Sequence, residues 1–119
     1  MLSESETERR LRVWHALSDV FLDTELQPHD YQWIASILEG SGYSQAELRA
    51  ILEDEVAPAF VGNLFSVAGE WTSWSKREVR QIMLRSLRRG FPPLRWMKKR
   101  LAQRIVAEEW QKIASAMAP

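Results

Sequence analysis

Leu11, Trp14, Leu17, Phe21 and Leu22 recur at spacings of three and four residues, and the same spacing returns in almost every later segment. An α-helix turns once in about 3.6 residues, so this pattern collects apolar side chains on one face and leaves charged ones on the other. Residues from about 5 to 23 therefore read as a first amphipathic helix. "DTELQP" interrupts it, and Pro28 suits the first position of a second helix, where its missing N–H is not needed and Asp30 offsets the positive helix end. Tyr31, Ile34, Ala35 and Leu38 form that helix's buried stripe, and Gly40 and Gly42 end it.

"SQAE", Ser44 to Glu47, is a capping box, in which each side chain satisfies the other residue's free backbone N–H. Leu48, Ile51, Leu52 and Val56 follow at core spacing. Pro58 is expected to break this third helix and start a fourth, whose Phe60, Val61, Leu64, Phe65 and Ala68 cover most of the circumference and read as central and buried. "SKRE", Ser75 to Glu78, is a second capping box, and Val79, Ile82, Met83 and Leu87 mark a fifth helix closed by Gly90 and Pro92-Pro93. Leu94, Met97, Leu101, Ile105, Ile113 and Met117 mark the last helix, on the order of 35 Å long. The expectation is an all-α fold: a compact single-domain bundle of about six helices over residues 1–119, with a long C-terminal helix.

A chain of 119 residues, 45% apolar with six Trp and four Phe, carries enough side-chain volume for one core. The absence of Cys excludes disulfides, thiolate zinc sites and cysteine nucleophiles, and fits a reducing compartment. No stretch of about 18 apolar residues offers a membrane span, and the first residues lack a signal-peptide-like apolar run, so a soluble cytoplasmic protein is expected, with no membrane partner.

The net charge of zero conceals a split. Residues 1–60 hold twelve acids against four Arg, an excess of eight negative charges; residues 61–119 hold twelve bases against four acids, an excess of eight positive ones. Either the halves face each other and cancel, or the molecule presents oppositely charged surfaces to an oriented partner. Within the basic half, "RSLRRGFPPLRWMKKRLAQR" (85 to 104) has eight Arg or Lys and no acid. Arg85, Arg88 and Arg89 favour a helix C-terminus, whereas Arg95, Lys98 and Lys99 near a helix N-terminus gain nothing there and read as a surface for phosphate or an acidic protein.

Residues that carry chemistry are few. His15, Asp19 and Asp23 fall on successive turns, but transition metals require three or four converging ligands, and His29 is the other imidazole of the chain. No metal or cofactor is expected. Glu70 in "VAGEWTSW" is a lone acid in an aromatic run, which reads more readily as an acceptor of backbone N–H groups or a partner of Arg than as a catalytic carboxylate. No catalytic residue is assigned and the chain is not expected to be an enzyme. Trp71 and Trp74 either seal a core edge or, if exposed, would anchor a partner.

"VWHALSDVFLDTEL" (13 to 26), "YSQAELRAILEDEVAPAF" (43 to 60) and "NLFSVAGEWTSWS" (63 to 75) resemble a small bacterial family of short helical proteins carrying a domain of unknown function. The resemblance covers about the first two thirds and leaves the basic tail outside. Such proteins are similar in size and style to immunity proteins, which bind one cognate secreted toxin and block its active or substrate site. The resemblance thus implies a protein-binding domain with a toxin as partner. The acids Asp19, Asp23, Glu25, Asp30 and Glu70, the aromatics Trp71 and Trp74, and the bases Arg95, Lys98 and Lys99 are its candidate contacts. Nucleic-acid binding through 85 to 104 is the alternative.

Overall fold

The computed structural model describes residues 2–22, 24–65, 72–89 and 96–117, with side chains throughout except at 64, 65, 89 and 96–102. Helix α1 runs over Glu4–Ser18 and tightens into a 3₁₀ turn at Asp19–Phe21. Its start is fixed by Ser3, whose Oγ accepts the Glu6 N–H at 3.1 Å. Helix α2, Pro28–Glu39, opens on the proline, and the Asp30 carboxylate accepts the Gln27 N–H at 2.7 Å. After it, Gly42 turns the chain at φ 83°, a conformation that suits glycine.

The largest departure from the sequence expectation is helix α3. It runs without interruption over 45–65: an α segment Gln45–Ile51, a π turn Leu52–Val56, a further α turn Ala57–Phe60 and a 3₁₀ end Val61–Phe65. Pro58 does not break it. A proline in a regular helix collides with the carbonyl four residues back, here that of Asp54, and leaves it without a donor. The π turn widens the helix immediately before the proline, with the Ala57 N–H reaching back to the Leu52 carbonyl. One continuous helix replaces the expected third and fourth, so the described residues hold five helices rather than about six. Helix α4 is Lys76–Arg89 and helix α5 is Trp96–Ala116. Both sequence-read capping boxes form: Ser44 with Glu47 at 2.9 and 3.1 Å, and Ser75 with Glu78 at 3.0 and 3.1 Å.

No strand occurs among the described residues. Helix α1 lies at the centre, packed against α2 on one side and α4 on another, with α2 also resting on α5. Its Val13, Trp14, Ala16 and Leu17 are fully buried, and they meet Ile34 and Leu38 of α2, Leu48, Leu52 and Val56 of α3, Val79 and Met83 of α4, and Ile113 of α5 in one core. The radius of gyration, 13.5 Å, is the value that a compact domain of this length takes. Phe60 is buried as expected, Val61 is half-buried and Gly62 exposed; the Leu64 and Phe65 side chains and Ala68 lie outside the described residues. No described helix is long and apolar enough to cross a membrane.

Candidate functional site

Two of the charged surfaces are organised by the fold. The first is the corner where α1 ends and α2 begins. Asp19, in the 3₁₀ turn, comes close enough to His15 and Asp30 for their charges to act on it, and Asp30 and Glu25 both act on Tyr31. Of the sequence candidates, Asp19, Glu25 and Asp30 are thus brought together; Asp23 falls outside the described residues. Burial pushes the Asp19 carboxyl above the usual carboxylate range, and Asp30 pushes it the same way. A hydrogen bond with Ser73 and the proximity of His15 pull against them. One Asp19 oxygen, Oδ1, is buried without a hydrogen-bond partner.

The aromatic of this corner is Trp33, which the sequence reading passed over. It is 43% exposed, and its ring stands edge-on to His15 at 6.2 Å. His15 in turn donates through Nε2 to the Trp74 carbonyl at 2.8 Å; a carbonyl only accepts, so this nitrogen carries the proton. Trp74 is not the exposed anchor the sequence allowed. It is 8% exposed and packs on Phe60 at 4.8 Å, sealing the core edge. Glu70, Trp71 and Arg95 lie outside the described residues, and for Lys98 and Lys99 only the backbone, in the first turn of α5, is described. No group of three or more His, Asp or Glu among the described residues could hold a metal ion.

The second surface lies between the start of α1 and α3. Glu55, in the π turn, accepts the Trp14 indole N–H at 2.9 Å and an Arg10 N–H at 2.5 Å. Arg10 also reaches Glu6 at 3.2 Å, and the Tyr43 hydroxyl donates to the same Glu6 oxygen at 2.5 Å. The Arg9 guanidinium lies 3.9 Å over the Tyr43 ring. Tyr43's hydrogen bond holds Glu6 below the ordinary carboxylate range, and burial followed by that same bond pushes Tyr43 up to about 12. None of these residues stands out in the sequence, because the network joins positions 41 and 45 residues apart whose meeting depends on the fold.

Arg80 to Glu4, at 3.4 Å, is an ion pair joining the two halves, while Arg9 and Arg10 with Glu6, Arg10 with Glu55, Arg49 with Glu53, Arg104 with Glu108 and Lys112 with Glu109 are pairs within one half. On α4, Arg77, Arg85 and Arg88 are exposed and fall within about 80° of one another, on the side away from Val79 and Met83.

The family model described as "Domain of unknown function (DUF7079)" matches residues 8–116. The chain belongs to this family. Its DUF7079 domain reaches from within α1 to the end of α5 and continues through the basic segment 85 to 104, correcting the sequence reading that left that segment outside. No curated protein and no solved structure matches the chain.

Proposed function

We propose that this DUF7079 protein is a non-enzymatic binding domain, an immunity protein of the bacterial cytoplasm that binds and neutralises a cognate secreted toxin. The observation that supports the reading is the acidic corner where α1 ends and α2 begins, which brings Asp19, Glu25 and Asp30 together on the side of the exposed Trp33. An acidic excess such as that of residues 1–60 steers a basic partner and fixes its orientation. The corner of Asp19, Glu25 and Asp30 supplies the field, and exposed Trp33 supplies an aromatic anchor of the kind that dominates protein interfaces. The basic cleft of a nuclease or of a nucleotide-using toxin would fit such a surface.

Co-expression with the product of the adjacent gene tests the reading. A complex should form, relieve that product's toxicity, and associate more slowly as salt rises. Trp33→Ala should weaken it by about 2 kcal/mol or more while the fold persists. No complex and no relief of toxicity would refute it. A second reading is favoured by the exposed Arg77, Arg85 and Arg88, which span about 16 Å of α4: nucleic-acid binding along this helix and the basic segment. It requires affinity that falls steeply with salt, and failure to bind at about 50 mM salt removes it.

A further inference from the structure

Arg77, Arg85 and Arg88 are exposed on one face of α4, and none of them forms an ion pair with a described residue. Gln81, also exposed, stands between them at about 40° from Arg77, and the buried Val79 and Met83 lie on the opposite side. The charges beside this face are already engaged. Arg80 pairs with Glu4 at 3.4 Å, and the Glu78 carboxylate accepts the Ser75 N–H at 3.0 Å in the helix cap. From Val79 to Ala107 the chain carries nine Arg or Lys and no acid. Beyond Glu78, α4 therefore offers guanidinium groups with no carboxylate on the same helix.

Their spacing is selective. With about 1.5 Å of rise per residue, Arg77 and Arg85 stand about 12 Å apart along the axis, and Arg85 and Arg88 about 4.5 Å apart. The major groove of B-form DNA is about 12 Å wide. We infer that this face of α4 clamps B-form DNA, with Arg77 holding a phosphate on one edge of the major groove and Arg85 and Arg88 holding phosphates on the other. The guanidinium suits this task, because its planar fork takes phosphate oxygens in pairs. Helix α4 has no aromatic residue on which an unpaired base could stack, which favours a duplex over a single strand. In an RNA duplex the major groove is deep and narrow, so a span of about 12 Å does not match its edges.

The clamp rests on the nucleic-acid reading, and Arg77 separates the two, because it lies outside the basic segment 85 to 104. The probe is a fluorescein-labelled DNA duplex of about 20 base pairs, titrated with the full chain and read by anisotropy from about 50 to 200 mM salt. Three phosphate contacts contribute about −2.7 to the slope of log affinity against log salt, a fall of about 40-fold over that range. Arg77→Gln, Arg85→Gln and Arg88→Gln should each make the slope shallower by about 0.9, whereas Arg49→Gln, an equal change of charge at an exposed position of α3, should leave it unchanged. The clamp is overturned, with DNA binding itself intact, if Arg77→Gln keeps the parent's affinity and slope, or if a single strand or an RNA duplex of the same length binds as well as the DNA. Displacement of the duplex by poly-glutamate as readily as by unlabelled DNA would overturn it in favour of an acidic protein surface. No binding at about 50 mM salt removes the clamp and the nucleic-acid reading together.

Discussion

Glu55→Ala measures what the π turn contributes to the central helix. The parent carboxylate satisfies the indole N–H of Trp14, a residue with 0% exposure, and pairs with Arg10; both charged side chains are only about one-fifth exposed. Truncation orphans a buried donor, which costs about 1–3 kcal/mol, and removes a half-buried ion pair worth up to about 1 kcal/mol more. A loss of about 2–3 kcal/mol follows. Unfolding entropy near about 2.1 cal/mol/K per residue gives about 0.25 kcal/mol/K for this chain, so Tm should fall by about 8–12 °C. Glu55→Gln keeps an acceptor for the indole and loses the charge, so its loss should be nearer about 1 kcal/mol, or about 4 °C. Thermal unfolding followed by circular dichroism and by tryptophan fluorescence checks both the midpoints and the two-state assumption. A Glu55→Ala midpoint within about 2 °C of the parent, or equal damage from Gln and Ala, would show that the indole does not depend on this carboxylate.

Gly42→Ala should cost about 1–2 kcal/mol, because φ is 83° and the new Cβ would stand 3.3 Å from an Arg9 nitrogen; Gly62→Ala, which meets nothing within 4 Å, should be neutral or stabilising in chemical denaturation. Trp74→Ala should cost about 3–5 kcal/mol in the same assay, in contrast to Trp33→Ala, which should leave stability nearly unchanged. Asp19 is held above the usual carboxylate range, so its protonated form favours folding: that contribution is full below the unfolded pKa and is lost as pH rises through the folded one. Asp19→Asn should therefore raise Tm at pH 7, with the gain shrinking towards pH 4. Glu6, Glu47 and Glu78 are held low, by Tyr43's hydroxyl and by Ser44 and Ser75 respectively, so their contributions are present above pH about 4.5 and should disappear on acidification through their folded pKa values.

Much of the helical framework is legible because it is local. Ser44 with Glu47, Ser75 with Glu78, Pro28 at a helix start and the stripe of Tyr31, Ile34 and Leu38 depend on neighbours within a few residues, and each takes its expected part. Pro58 misled because Leu48, Leu52, Val56 and Phe60, all buried, are spaced by four. In a regular helix each such step overshoots the face by about 40°. The wide turn takes up the surplus and makes room for the proline ring. The binding surfaces were only partly legible. Asp19, Glu25 and Asp30 cluster because they flank one loop, whereas the exposure of Trp33 and the burial of Trp74 depend on which tertiary neighbours arrive. The Arg10–Glu55–Trp14 network is non-local and leaves no motif.

The π turn also divides α3 as a dynamic object. Amide hydrogen exchange depends on local opening, and an i→i+5 turn holds its amides less well than the α segments beside it. The core residues Leu48 and Phe60 should then report two well-protected stretches separated by faster exchange at Leu52–Val56, a turn held to the rest of the fold by buried Leu52 and Val56 and by the Trp14 indole on Glu55. Loosening of α3 should therefore begin in the middle of the helix rather than at its ends.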